Sequence, residues 1–181
     1  MNTITPLVNL ARTEATLQAF ASVAVTFATA DNSIAATGIG TAFSTAGTKI
    51  VVSGAANADN NITFTISSVS SANKIIVTET VTAEAAGASV VINEEYQSEW
   101  LYVSDRAKLV GSIYASQACT IYIDQSSDAS NTDGDPSSWP VVIGGTVKYE
   151  VDRVEPYARL RVRNNGTDQT ALRATLNGGV L

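Results

Sequence analysis

The sequence predicts an all-β fold: two small β-sandwich or barrel-like domains with an N-terminal arm. Three observations carry this. Short runs rich in Val, Ile, Thr and Phe recur at about the spacing of sandwich or barrel strands. Clusters of Gly, Asn, Asp and Ser separate them, and within them polarity alternates with a period of two.

The first twenty residues fit neither strand pattern. Leu7, Leu10, Leu17 and Phe20 are compatible with a helical stripe, but Glu14 lies on it and Pro6 precedes it. A short helix and an extended arm are both expected here, the arm packing on its own domain or docking on a neighbour. Residues 21–95 read as a small β-domain with strands over 22–29, 49–53, 61–69, 74–80 and 88–94. In the third of these, Ile62, Phe64 and Ile66 share one face and Thr63, Thr65 and Ser67 the other, so a one-residue slip would expose the apolar set. Residues 53–61 and 70–73 supply hairpin turns. Residues 96–181 form the second domain, a jelly-roll or Ig-like sandwich. Its expected strands are 99–104, 108–116, 119–126, 146–152, 157–164 and 169–176. The boundary falls near "EEYQS" (94–98), where charge and aromatic content rise.

Composition removes several classes of function. The 181 residues contain no His, the commonest general base and metal ligand, and Cys119 has no second cysteine to pair with. Seventeen acidic against eleven basic residues, a net charge of -6, disfavour binding to nucleic acid. Residues 1–20 lack the basic n-region and continuous apolar h-region of a signal peptide, and nowhere do eighteen apolar residues run together. The chain is therefore expected to stay in a reducing cytosol or to be assembled there into something larger. No Ser lies in G-x-S-x-G, and "TGIGTAF" lacks the third glycine of a dinucleotide fingerprint. The expectation is a non-enzymatic chain with no cofactor and no metal.

Candidate binding features are few. Loop 126–139 offers Asp128, Asn131, Asp133 and Asp135 as oxygen ligands. The calcium-loop pattern nevertheless fails at both ends, with Ala129 at its first position and Pro140 at its last. Trp139, beside this loop, is expected to be the more exposed indole; Trp100 reads as core. Arg159, Arg161 and Arg163 share one face of a strand. If "RVEP" (153–156) turns the chain into a hairpin, Asp152 faces Arg159 and Glu150 faces Arg161. Otherwise the three cations form a stripe for an acidic protein surface. The expected partner-binding residues are Leu7, Leu10, Trp139, Arg159, Arg161 and Arg163.

Two stretches carry a resemblance. Residues 43–92 combine Phe43, Gly47, a "KIVVSG" strand ending at Gly54, an Asn-rich turn (Asn57, Asn60, Asn61), "TFTISSV", "IIV", then Glu84 and Gly87. This resembles a β-module of structural proteins of tailed bacteriophages. "KLVGSIYASQACTIYIDQSSD" with "YARLRVRNNGTDQTALRATL" is similar to a β-sandwich that recurs in phage virion proteins. The resemblance implies a virion protein, assembled in the bacterial host cytoplasm. It would be a capsid decoration (cement) protein bound to the major capsid protein, or a tail or fibre component that adheres to host glycans. It also implies a homo-oligomer; on charge and hydropathy, neither nucleic acid nor membrane is expected as a partner.

Overall fold

The computed structural model describes residues 5–12 and 17–179, with side chains for residues 17–178. It is nearly all β, built from antiparallel sheets with no closed barrel among the described residues. No helix in them is long and apolar enough to cross a membrane. The chain divides into two compact units, and the division is not contiguous. The first comprises residues 17–96 and 164–168; the second comprises 1–16, 97–163 and 169–181.

Of the short helix and the extended arm expected over residues 1–20, the extended form holds over part of that span, as a paired strand. β1 (Thr5–Arg12) belongs to the second unit, where it pairs antiparallel with the last strand of the chain. The ladder answers the backbone N–H and C=O groups that a free arm would leave to solvent.

The first unit is an antiparallel sheet with the order β2–β8–β5–β6–β7–β4–β3. Its strands are β2 (Ala19–Ser22), β3 (Thr26–Ala28), β4 (Ser33–Ala35), β5 (Lys49–Ser53), β6 (Thr63–Ser71), β7 (Lys74–Val77) and β8 (Val90–Gln97). The run expected over 22–29 is split into β2 and β3 by Val23–Val25, and Val23 is exposed. A single-turn helix, α1 (Ile39–Ala42), lies between β4 and β5. The alternation in β6 buries Phe64 and Ile66 in a core with Phe27, Ile34, Ile50, Ile75, Val81 and Ile92. Ile62 lies just before the strand and is 40% exposed, so only two of the three apolar residues expected on that face reach the core.

The motif residues of this unit have mechanical tasks. Gly54 adopts φ +80°, and a Cβ there would collide with the Ser89 carbonyl, so glycine alone closes the end of β5 without strain. Asn61 accepts from Ala55 N–H at 2.8 Å and donates back to its carbonyl at 2.9 Å. Asn60, fully buried, donates to the Thr82 carbonyl at 2.9 Å and accepts from Thr82 N–H at 2.9 Å. The Glu84 carboxylate accepts from the N–H groups of Ala56 (2.8 Å) and Asn57 (3.0 Å) and from the Asn60 amide (3.0 Å). One carboxylate thus fastens the β5–β6 turn to the segment that precedes β8.

In the second unit one sheet has the order β1–β15–β10–β13, with β10 (Lys108–Ala115), β13 (Thr146–Asp152) and β15 (Leu172–Gly179). The other contains β12 (Ser137–Val141), β11 (Cys119–Ser126), β14 (Tyr157–Asn164) and, against β14, the short β9 (Leu101–Tyr102). Alternating residues turn inward from both sheets. Leu109, Ile113, Ala174 and Leu176 come from the first, and Ile121, Ile123, Leu160 and Val162 from the second, all 0–1% exposed. This is the inward pattern of a sandwich core. Strand β12 overlaps the end of the stretch expected as a polar loop (126–139); its Pro140 is tolerated because β12 is an edge strand.

Candidate functional site

The most organised polar constellation lies on the outward face of the second unit, where β11 and β14 run side by side. Strand β14 buries Ala158, Leu160 and Val162 and turns Arg159, Arg161 and Arg163 outward. Strand β11 contributes Tyr122 and Asp124 to the same face. Asp124 has a completely buried side chain, yet it is a carboxylate. Ionised, it needs cations to offset the loss of water. Arg159 Nε meets Oδ2 at 2.7 Å, while Arg161 approaches fork-on, Nε to Oδ2 at 2.6 Å and Nη2 to Oδ1 at 2.8 Å. This bidentate geometry is what a planar guanidinium supplies and a lysine does not.

Aromatic rings complete the row. The Arg159 guanidinium lies 4.4 Å from the centroid of Trp100, and those of Arg161 and Arg163 lie 4.7 and 5.3 Å from Tyr122. Beyond Trp100, Tyr102 and Tyr157 meet edge to face at 5.4 Å, and Tyr102 is 65% exposed. Arginine, tyrosine and tryptophan are also the residue types enriched at binding hot spots.

The hairpin pairing expected for these arginines is overturned. Strand β13 pairs with β10 in one sheet and β14 lies in the other, so Asp152 and Glu150 do not face Arg159 and Arg161. Lys108 takes Glu150 instead, with Asp152 at 4.0 Å. The physical reason is that residues 153–156 carry the chain from one sheet to the other rather than forming a tight turn. The sequence singles out neither Asp124 nor Tyr122 as a partner, and Trp100, expected in the core, is instead half-buried against Arg159. The outward alternation of Thr120, Tyr122 and Asp124 in "CTIYIDQS" was the signal that could have found two of them.

The other candidates are placed differently. Leu7 and Leu10 lie on β1, with Leu10 in register with Ala174; their side chains fall outside the described residues. Trp139 is half-buried and packs on Tyr149, ring centroids 5.2 Å apart. It stands opposite Ile121 on β11, so it leans to the core side of its strand rather than into solvent. Loop 126–136 spends carboxylates on itself. Asp128 accepts from the N–H groups of Ser130 (2.8 Å) and Asn131 (3.2 Å) and from the Ser126 hydroxyl (3.0 Å), and these bonds hold its pKa below 3.8. Asp133 accepts from Ser127 N–H at 2.6 Å. Among the described residues no group of three or more His, Cys, Asp or Glu is arranged to hold a metal ion. The thiol of Cys119 is buried, which pushes its pKa up to about 12 and suppresses the thiolate.

Residues 67–178, from the middle of β6 to the end of β15, match the family model described as "Uncharacterised protein YqxG N-terminal domain". The chain belongs to this family. The matched span contains the whole Asp124 constellation, with Trp100, Tyr122, Arg159, Arg161 and Arg163. No curated protein matches the sequence.

Proposed function

We propose that this chain is a non-enzymatic bacteriophage virion structural protein, a capsid decoration (cement) protein that binds the major capsid protein and stabilises the head lattice. The observation that carries the reading is the use made of polar side chains. Asp124, Glu84, Asn60 and Asp128 each serve to hold sheet or loop, while large apolar side chains face solvent at turns. Val142 and Ile143 are 72% and 69% exposed between β12 and β13, and Val154 is 71% exposed between β13 and β14. Exposed aliphatic turns and Ser- and Thr-rich strand faces are inexpensive to desolvate compared with ions. On a lattice, modest contacts repeated many times gain by multivalency. The resemblance of residues 43–92, and of residues 108–128 with 157–176, to phage virion modules supports the same reading.

The rival reading, a glycan-binding tail or fibre module, rests on loop 126–139 and Trp139. With that indole packed against Tyr149, less of its face is open to stack on a sugar. The test is direct. Purified protein added to heads that lack it is expected to bind and to raise their resistance to heat and chelators. Failure to bind, or a glycan-array signal lost in Trp139→Ala, would reverse the assignment.

A further inference from the structure

We propose that β13 is a self-pairing edge through which two copies of this chain join their four-stranded sheets into one continuous antiparallel sheet. β13 forms one edge of the order β1–β15–β10–β13, and among the described residues no strand pairs with its second side. Backbone directions along it follow from two contacts. Arg153 N–H donates to the Ala107 carbonyl at 3.1 Å, and the Gly145 carbonyl accepts from Ala115 N–H at 3.3 Å. Odd-numbered residues therefore turn their backbone groups toward β10, and Thr146, Lys148, Glu150 and Asp152 turn theirs to the open side. The Asp152 carbonyl is met from that side by Gln125 Nε2 at 3.0 Å, which stops the open stretch at its C-terminal end. What is left is a short row of unpaired donors and acceptors centred on Tyr149.

Several other edges of the described fold are blunted. β12 contains Pro140, β9 is two residues long and β3 three. β1 carries Pro6 and a register shift between Pro6 and Val8. Those are the usual defences against edge pairing. β13 has no proline and a regular register with β10 along its whole length; its only defence is charge.

That charge selects a second copy. In "TVKYEVD", Lys148 and Glu150 flank Tyr149, Val147 and Val151 flank them, and Thr146 and Asp152 stand outside. Antiparallel pairing about a two-fold axis at Tyr149 sets Lys148 opposite Glu150 of the second copy, twice, and Val147 opposite its Val151. It also makes Lys148 and Glu150 the pair that exchanges both backbone hydrogen bonds. Sliding two residues either way sets Lys148 against Lys148 or Glu150 against Glu150, which is repulsive. Side chains of Lys148 and Glu150 are exposed and available for this, and Lys108 already stands beside Glu150 to extend the alternation. Strand addition at an exposed edge is an established recognition mode. This inference does not depend on the virion reading.

The test is the mass in solution of the full chain at ~100 µM, where an interface of micromolar affinity is saturated. Wild type is expected as a dimer. Lys148→Glu sets acid against acid at both central pairs, and Glu150→Lys sets base against base. Each alone should weaken dimerisation at least ~10-fold. Mixed together, the two variants should form a heterodimer, because acid then faces base at both pairs. The contact of residue 150 with Lys108 is the same in the homodimer and the mixture, so it cancels. Independently of any variant, the amides of Lys148 and Glu150 should gain hydrogen-exchange protection as wild-type concentration rises. A monomeric wild type, variants that stay dimeric, a mixture that does not associate, or no concentration-dependent protection would each overturn the proposal.

Discussion

Asp124 holds the most consequential position in the second unit. A buried carboxylate answered by two guanidiniums is costly to change on one side, because removing the acid takes from the largely buried Arg159 and Arg161 the carboxylate that both bind. Asp124→Asn is expected to cost about 3–5 kcal/mol in denaturant unfolding. A loss under about 1 kcal/mol would show that the arginines find other partners. Tyr149 and Gly111 form a second such position. The Tyr149 hydroxyl donates to the Thr175 carbonyl, and a Cβ on Gly111 would strike both that hydroxyl and that carbonyl. Ser112 N–H correspondingly turns to the Thr175 hydroxyl at 3.2 Å. Gly111→Ala is expected to cost about 1–3 kcal/mol by overpacking. Part of that cost should vanish in a Tyr149→Phe background, where the hydroxyl is gone; strictly additive losses in a double-mutant cycle would refute the collision.

Among the elements, the β5–β6 turn depends on a single ionised group. Glu84 is disfavoured by partial burial, but the Asn57 N–H, the Asn60 amide and the Ala56 N–H outweigh that and lower its pKa below 4.5. A carboxylate with a depressed folded-state value contributes stability that is complete above 4.5 and is lost as pH falls through the depressed value. Glu84→Gln should therefore reduce stability at neutral pH and flatten the acid limb of the pH–stability curve. An acid limb identical to wild type would remove Glu84 from the account. Much at this scale was legible in the sequence: β5, β11, β13 and β14 lie where alternation and turn residues put them, because period-two patterning reports burial on one face directly. β4 and α1 were missed, since each is too short for a period to register. β12 was hidden by Pro140 and its polar neighbours, and β1 was obscured by Pro6 and a pattern that two periods fit equally. The arginine row was legible as a face; its partner was not, because adjacency in sequence suggested β13 while the topology supplied β11.

For the molecule as a whole, the non-contiguous division of the chain has a mechanical consequence. Residues 1–16 belong with residues 97–163 and 169–181, through the ladder of β1 on β15. Deleting them should speed hydrogen exchange in β15 and lower the stability of the second unit, leaving the amides of β5–β7 as they were. Unchanged exchange in β15 would mean that β1 adds nothing to it. The same scale holds the central claim, that the chain's surfaces exist to hold a larger particle together. The measurement closest to that claim is quantitative mass spectrometry of purified phage particles and of their separated heads and tails. The account predicts the intact chain in the head fraction, in copy numbers that scale with the capsid lattice. Particles that lack it, or hold it only at the tail, would contradict that prediction.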